Sequence, residues 1–400
     1  MLYPNLLTRE LDERREEFVS FDRSWRERTS DYARRLLALG PDAMALIERS
    51  PLFANAAGAI PSRELKEVGS MVVPFGVSWR NHEEARRWAV DALHERTTFA
   101  ADGSQLLPGR EISMPVAVVQ VAWFENPHAR DGKYEKQARC SIISPSQLLE
   151  RIGDDRVNAE TVVGFERFKL EVEEIKRFLE KKRDWRKRQE RTPVAFFDGT
   201  LLISIGLPAT RIQNEYVKAL VELVKLSRDL RVPIVGYVDQ SYARDLVRLL
   251  DNIHPTETGA LSIYDAQFLH AEVDGGARVL SAWGDRTAFC YSRREGFDDE
   301  EGKPLVGFTY MQTTGEGAPA RLDVPAWIYE AGLLTDVIDA VRAECVSGLG
   351  YPYAIEAADE ASLISGRDRA QFLRIIQEFA EREGFGFTVS RKAVSKVRRR

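Results

Sequence analysis

The chain has 400 residues, of which 44% are hydrophobic and 30% are charged, enough for one large domain or two ordinary ones. Its 57 Lys and Arg residues against 62 Asp and Glu give a formal charge of -5, so any surface for an anionic partner must be local. Cys140, Cys290 and Cys345 are far apart and form no CxxC pair, which argues against a disulfide framework or a zinc knuckle. No apolar run reaches the roughly 18 residues of a membrane span. We therefore expect a soluble, cytoplasmic protein with no membrane partner.

The first half of the chain changes from helical to strand-like patterning near residue 97. Apolar residues at helical spacing precede this point, and apolar runs typical of buried strands follow it. In chain order we predict an amphipathic helical segment (7–47), a loop (51–61), a helix (83–95), a strand leading into Asp102, a strand (114–124) and a long charged helix within 161–191.

The second half begins with the alternation of strands and helices that is typical of an α/β fold. The predicted elements are strands (193–197 and 201–205), a helix (215–230), a strand (233–238), a helix (241–250), three strands (286–292, 306–313, 320–328), helices (333–346 and 368–383) and a basic tail (391–400). No internal repeat or low-complexity linker marks a domain boundary.

Two Asp-Gly pairs carry the first chemical signal, at Asp102-Gly103 and Asp198-Gly199. An Asp-Gly pair is also a common turn. Here, however, each aspartate ends an apolar stretch, and a carboxylate beside a residue without a side chain can approach a metal or a phosphate closely. The segment FFDGTLL resembles the DxDGT motif of haloacid-dehalogenase-type phosphatases, but Phe196 occupies the position of the nucleophile. The sequence therefore favours carboxylates that converge on a cation over a phosphatase.

The helix within 161–191 offers both acidic and basic candidates. Glu171 lies between two apolar residues and could face a site, although Glu166, Glu174 and simple solvation remain alternatives. Its basic end is either an ordinary solvated helix end or a surface that contacts a phosphate backbone, with Trp185 as an aromatic for stacking. The candidate residues for that contact are Lys181, Lys182, Arg183, Arg186, Lys187 and Arg188, together with Arg321 on a later strand.

Several further residues lie at the ends of predicted strands or early in predicted helices. Asp239 follows the strand 233–238, where helix capping is the ordinary role of an aspartate. Tyr310, Tyr351 and Asp359 could serve a site or merely pack a strand, a turn and a helix. The five histidines show no HxH or HxxxH spacing, which argues against a zinc site.

Taken in order, these segments resemble the NurA nuclease family over roughly residues 96–365. The matching motifs are ADGSQ at Asp102, R-x-x-x-E at Arg167 and Glu171, FFDGTLL at Asp198, IVGYVDQS, FTYM followed by ARLDVP, and YPYAIEAADEAS.

The resemblance implies a ribonuclease H-like (Piwi-like) α/β fold, with a mixed central sheet flanked by helices. It implies a nuclease domain over 96–365, an N-terminal helical extension over 1–95, and a C-terminal helix and basic tail over 366–400. It also implies Mn²⁺ as cofactor, with Mg²⁺ possible, and a tyrosine near the scissile phosphate. Carried over residue by residue, the metal ligands are Asp102, Glu171, Asp198 and Asp359, and the tyrosine is Tyr351 rather than Tyr310.

The family's activity implies a 5'-3' exonuclease and single-stranded endonuclease that acts on single- and double-stranded DNA without sequence specificity. It implies a homodimer that works with a HerA-type hexameric helicase in end resection at double-strand breaks. Two departures stand out: Asp359 replaces the histidine of many members, a conservative exchange of ligand, and Asp239 replaces a lysine. The alternative is a catalytically inactive subunit of the same fold that binds DNA or tethers the helicase.

Overall fold

The computed structural model describes residues 2–49, 58–109, 112–152, 158–203, 211–254, 262–273 and 276–388. The predicted basic tail and the end of the predicted strand 201–205 lie outside these residues. No helix in these ranges combines the length and the apolar character that crossing a bilayer requires.

The predicted helices lie close to their expected positions, and several short helices were not predicted. In the described part of the chain they are α1 (Pro4–Glu13), α2 (Arg15–Leu37), α3 (Asp42–Arg49), α4 (Glu64–Val68), α5 (His82–Leu93), α6 (Pro145–Ile152), α7 (Ala159–Lys182), α8 (Arg211–Leu230), α9 (Asp245–Ile253), α10 (Asp265–His270), α11 (Ala326–Glu330), α12 (Leu334–Ser347), α13 (Tyr353–Ser362) and α14 (Gly366–Glu383).

The strands include several short ones that the sequence did not indicate. They are β1 (Gly58–Pro61), β2 (Val72–Val73), β3 (Thr98–Leu106), β4 (Ala117–Asn126), β5 (Glu135–Ile143), β6 (Val194–Asp198), β7 (Ile234–Val238), β8 (Glu272–Val273), β9 (Ala277–Arg278), β10 (Arg286–Thr287), β11 (Cys290–Arg293), β12 (Val306–Met311) and β13 (Ala320–Pro325).

The chain forms two compact units, each assembled from separated segments. The first comprises 1–78, 238–294 and 298–323, and the second comprises 79–237, 295–297 and 324–400. The chain passes between the units five times, twice within a strand (β7 and β13) and three times in irregular segments. The boundaries predicted near residues 95 and 365 stay a prediction.

In the second unit, five strands form a sheet in the order β5-β4-β3-β6-β7. Strands β5, β4 and β3 pair antiparallel, whereas β6 runs parallel to both β3 and β7. Helices α7 and α13 both pack against β3 and β4. The mixed sheet with flanking helices confirms the predicted α/β class, and this strand order is that of a ribonuclease H-like fold.

Helix α7 forms where the sequence combines a cap with a long apolar stripe. The Asn158 side chain accepts a hydrogen bond from the backbone N–H of Thr161, which caps the first turn. The stripe is buried, and Phe178 stacks on Phe99 of β3 with ring centroids 4.5 Å apart. These contacts fix the orientation of α7 on the sheet and therefore the positions of the acidic side chains of α7.

In the first unit, β1, β11, β12 and β13 are neighbours in that order, and β10 pairs with both β12 and β2. Side chains of α2, α9 and α10 form a hydrophobic core with these strands. Two predicted strands are corrected. The strand over 320–328 ends at Pro325 and helix α11 follows, and residues 201–203 form a bend rather than a strand.

A buried ion cluster in the first unit corrects the role expected of Arg321. This side chain is 1% exposed and pairs with Asp323 and Asp245, at 2.7 Å each. Its guanidinium also lies 4.0 Å from the centroid of the Phe308 ring. A buried charge with such partners holds the core together and cannot reach a DNA phosphate. The predicted DNA contact of Arg321 is therefore wrong.

The same cluster encloses an aspartate with a shifted pKa. The Asp265 carboxyl accepts hydrogen bonds from the backbone N–H groups of Leu246 and Val247 and from the Tyr310 hydroxyl. Burial raises the pKa of Asp265 to about 7, and the negative charge of Asp245 adds to this rise. Tyr310 is fully buried here, which speaks against the alternative that it meets a phosphate.

We predict that Asp265→Asn removes part of the pH dependence of stability. The folded protein keeps the Asp265 proton up to about pH 7, whereas the unfolded chain loses it near pH 4. Stabilisation by the neutral group is therefore complete at low pH and is lost as the pH rises through about 7, with a slope of at most about 1.4 kcal/mol per pH unit. Urea unfolding of both proteins between pH 4 and 8 checks this, and parallel curves would contradict it.

Candidate metal centre

Asp102 and Asp198 lie at the same level on neighbouring parallel strands of the second unit, where Asp198 ends β6 and Asp102 stands in the middle of β3. The register pairs Ala101 of β3 with Phe197 of β6, so the two aspartates occupy the next position on each strand. Residues in register on parallel strands share a face, and adjacent strands lie about 4.8 Å apart. The carboxylates therefore emerge side by side at the carboxyl edge of the parallel strands, as the two Asp-Gly motifs predicted.

Glu171 of α7 reaches this edge because Gly103 has no side chain. A Cβ built on Gly103 would lie 2.6 Å from Oε1 of Glu171 and 2.6 Å from Cγ of Arg167. Arg167 donates a hydrogen bond to the Gly103 carbonyl at 3.1 Å, and its Nε lies 3.3 Å from Oε1 of Glu171. The R-x-x-x-E spacing thus places Arg167 and Glu171 one helical turn apart, and both side chains pack against Gly103.

The competing helix acids are engaged elsewhere. Glu166 pairs with Lys169 at 2.7 Å. Glu174 pairs with Arg177 at 2.8 Å and with Arg139 at 3.1 Å. The packing of α7 therefore favours Glu171, which spacing alone did not select.

Helix α13 brings Asp359 and Ser362 to the Asp102 side of the sheet. The Ser362 hydroxyl, which is buried, donates a hydrogen bond to Oδ2 of Asp102 at 2.9 Å. Its own carbonyl accepts a hydrogen bond from the Gln120 side chain of β4. Asp359 lies one helical turn before Ser362, is exposed, and is near enough to raise the pKa of Asp102. These contacts join α13 to the strand that carries Asp102.

Tyr351 lies in the turn between α12 and α13 and donates its hydroxyl hydrogen to Oδ1 of Asp198 at 2.7 Å. Its ring packs edge-on against Tyr237 of β7, whose hydroxyl donates to the Gly350 carbonyl. The turn is thereby fixed to the sheet, and the structure places Tyr351 beside a predicted ligand.

Burial and neighbouring negative charges raise the pKa of two of the carboxylates, Glu171 and Asp102. Burial raises the pKa of Glu171 to about 7 against the lowering effect of Arg167, and the charges of Asp102 and Asp198 add to the rise. Burial also raises the pKa of Asp102, against the Ser362 hydrogen bond, and Asp198 and Asp359 add to that rise. Such crowding of like charges is unfavourable unless a cation neutralises it.

The donor set fits a hard divalent cation. Carboxylate oxygens are the ligands that Mg²⁺ and Mn²⁺ prefer, and Oε1 of Glu171 is buried yet accepts no hydrogen bond. Within the described ranges, however, no three His, Cys, Asp or Glu side chains are close enough together to coordinate an ion in the present arrangement. In this arrangement Ser362, Tyr351 and Arg167 each contact one of the carboxylates.

The predicted DNA-contact cluster at the end of α7 lies away from these carboxylates. Lys182 donates a hydrogen bond to the side chain of Thr97. Thr97 precedes Asp102 by five residues of extended chain, so the two residues lie about 16 Å apart. Lys181 pairs with Glu125 at 2.7 Å, and Trp185 is buried with its Nε1 donating to the Arg231 carbonyl. The Trp185 indole therefore cannot stack on a base, because it is buried.

Part of that cluster remains available to a partner. Lys182 is largely buried, whereas the five other members are exposed, namely Lys181, Arg183, Arg186, Lys187 and Arg188. For these five the DNA contact stays a prediction. Asp239 is exposed and belongs to the first unit, and its role stays open.

Two residues of the site were not among the predicted functional residues. Ser362 follows Asp359 by three positions, a spacing that places both residues on one helical face. The sequence therefore contained a signal for Ser362. The sequence contained no such signal for Tyr216 of α8. Only the packing of α8 brings this residue near Arg167 and Glu171, whose charges act on its pKa in addition to burial.

Comparison with known proteins decides the family. A sequence profile of the NurA domain matches residues 96–363, about two thirds of the chain. The chain belongs to the NurA family. The predicted resemblance is confirmed, and membership of NurA makes this protein a nuclease and therefore a hydrolase. A search of curated proteins found no match.

Solved structures with similarity to the chain include NurA with manganese, at 11% identity and a TM-score of 0.40, covering 74% of this chain and 95% of that one. NurA bound to dAMP and manganese matches at 11% identity and 0.35, covering 74% and 92%. The catalytic domain of human Endonuclease V matches at 13% identity and 0.33, covering 74% and 95%.

We predict that Gly103→Ala weakens divalent-ion binding without removing a carboxylate. The new methyl group would displace Glu171 and Arg167, so we expect the Mn²⁺ affinity measured by calorimetry to fall at least about tenfold. Gly366→Ala is the matched control, since a Cβ there meets open space. Unchanged affinity in Gly103→Ala would show that Glu171 is not a ligand.

We predict that Ser362→Ala shifts the pH dependence of ion binding. The Ser362 hydrogen bond lowers the pKa of Asp102, so its loss raises that pKa and more alkaline pH is needed to form the carboxylate. The midpoint of a Mn²⁺ affinity profile should move to higher pH. Ser347→Ala is the control, because that hydroxyl bonds only within its own helix. Coincident profiles for the wild type and Ser362→Ala would refute the role of Ser362.

Proposed function

We propose that this NurA protein is a metal-dependent DNA nuclease that uses Mn²⁺, or Mg²⁺ in its place. The observation that carries the proposal is the convergence of Asp102, Asp198 and Glu171 at one edge of the sheet, with the charge of Asp359 acting on Asp102. These four carboxylates would hold the ion. When bound, a divalent ion supplies Lewis acidity and lowers the pKa of a water molecule that attacks the phosphodiester.

The remaining residues of the site orient the ligands and the substrate. Ser362 and Tyr351 each hold one oxygen of an aspartate, which limits the rotation of Asp102 and Asp198. The half-exposed guanidinium of Arg167 offers a cation for a phosphate oxygen beside Glu171. The Tyr351 hydroxyl, beside Asp198, would also position the scissile phosphate.

The wider role follows from the family resemblance. We propose 5'-3' exonuclease and single-stranded endonuclease activity on DNA in the cytoplasm, in end resection during double-strand break repair. The protein would act as a homodimer with a HerA-type helicase. The exposed residues Lys181, Arg183, Arg186, Lys187 and Arg188 would contact the DNA backbone without reading sequence. The retained carboxylate set favours this enzyme over an inactive subunit that tethers the helicase.

We predict that Asp102→Asn and Asp198→Asn each lower the rate of DNA cleavage with Mn²⁺ by at least about 100-fold, because an amide is a weaker ligand than a carboxylate. The assay is cleavage of end-labelled single-stranded DNA by purified full-length protein.

Asp229→Asn provides the control, since that side chain is exposed on α8 and pairs only with its neighbour Arg228. Full activity in either of the two site variants would rule out this metal centre. A wild type that binds Mn²⁺ but cuts no DNA would instead favour the tethering subunit.

A further inference from the structure

Tyr216 of α8 brings a hydroxyl group to the side of α7 that carries Glu171. Gly164, Arg167 and Glu171 follow one another at three or four positions along α7, so they share one side of this helix. A Cβ built on Gly164 would lie 4.0 Å from the hydroxyl oxygen of Tyr216. The hydroxyl therefore lies over the glycine, about one helical turn from Arg167.

Aromatic packing holds the Tyr216 ring in this position. The ring lies edge-on to Phe165 with centroids 4.8 Å apart, and it is tilted against Phe168 with centroids 4.5 Å apart. Phe168 in turn packs edge-on against Phe197, the residue before Asp198. These ring contacts join Tyr216 to the strand that ends in Asp198, and none of them uses the hydroxyl group.

The Tyr216 hydroxyl is a donor that the fold leaves open. Within the described part of the chain it makes no hydrogen bond, and it reaches solvent. Burial raises the pKa of Tyr216 against the lowering effect of the Arg167 charge. The hydroxyl therefore keeps its proton at neutral pH and can donate it to an acceptor.

Arg167 offers a second open donor on the same side of α7. Its Nη1 donates to the Gly103 carbonyl and its Nε faces Glu171, whereas Nη2 has no partner among the residues that the structure describes. The side chain is 41% exposed. A guanidinium and a hydroxyl that both donate on one helix face fit an anion with several oxygen acceptors.

A phosphate of the substrate backbone is an anion of this kind. Glu171, a proposed ligand of the ion, lies one helical turn from Arg167, so the two donors lie beside the ion site rather than on it. A polynucleotide carries one phosphate per nucleotide. When the phosphate to be cut lies at the ion, the next phosphate of the same strand therefore lies beside it.

We propose that Tyr216 is a substrate-binding residue whose hydroxyl, together with Arg167, binds the DNA phosphate next to the one that is cut. The inference rests on the proposed function, because it takes DNA as the substrate. It adds a contact from α8 to a site otherwise formed by β3, β6, α7 and α13. Since the contact is with the backbone, it carries no sequence preference.

The DNA affinity of Tyr216→Phe tests the proposal, because this variant loses the hydroxyl and keeps the ring. Fluorescence anisotropy with a labelled single-stranded oligonucleotide and Mn²⁺ measures the affinity in full-length Asp198→Asn protein, in which cleavage is expected to be slow. We expect the Kd to rise about three- to tenfold, as for the loss of one hydrogen bond. The Mn²⁺ affinity of Tyr216→Phe with Asp198 intact should equal that of the wild type in calorimetry.

Tyr134→Phe is the matched control. It also loses a tyrosine hydroxyl, but Tyr134 is 62% exposed and its ring packs against Phe124 of β4 rather than on α7. Its DNA affinity should equal that of its parent.

Oligonucleotides with a single methylphosphonate identify the phosphate, because a methyl group there replaces one charged oxygen. At the contacted position the parent protein should lose affinity and Tyr216→Phe should lose less, since its hydrogen bond is already absent. Equal losses in both proteins at every position would overturn the contact.

The remaining outcomes separate this proposal from the nuclease proposal. Equal DNA affinity with and without the Tyr216 hydroxyl would overturn the contact and leave the metal centre intact. Weaker Mn²⁺ binding in Tyr216→Phe would also overturn it, because the hydroxyl would then act on Glu171 rather than on DNA. A wild type that binds DNA but does not cut it would refute the nuclease activity alone, and a weaker DNA affinity of Tyr216→Phe would then still support the contact.

Discussion

The site depends on crowding negative charge at the carboxyl edge of the parallel strands in the second unit. Asp102 and Asp198 are held there by strand register, and Glu171 is admitted because Gly103 has no side chain. The charge of Asp198 makes Asp102 and Glu171 harder to ionise, and Asp102 adds to this effect on Glu171, so the arrangement is unfavourable unless a cation neutralises it. We propose that this crowding, with Ser362 and Tyr351 in contact with the aspartates, serves ion binding.

The sequence predicted much of this site because strand ends and motif order are local signals. Asp102 and Asp198 each close an apolar run, and the α/β alternation implied that such ends meet at one edge. The sequence could not single out Glu171, because Glu166 and Glu174 share its helix. Packing favours Glu171, because it brings Arg167 and Glu171 against Gly103.

Other features escaped the sequence because they depend on partners far along the chain. Arg321 reads as a strand arginine, yet Asp245 and Asp323 neutralise it inside the first unit. Trp185 reads as an aromatic residue in a basic surface, yet its indole is buried. Strand β5 was missed because it is a largely exposed strand with few apolar residues. The charge and hydropathy of a residue indicate whether it favours solvent or the interior. Its actual burial depends on the residues that surround it in the fold.

The most direct test of the central claim is anomalous scattering from crystals of the full chain grown with Mn²⁺. The account predicts a manganese peak at coordination distance, about 2 Å, from carboxylate oxygens of both Asp102 and Asp198, with Glu171 or Asp359 completing the site. It also predicts that Arg167 moves away from Glu171 when the ion binds. A peak elsewhere, or none at an ion concentration that supports cleavage, would contradict it.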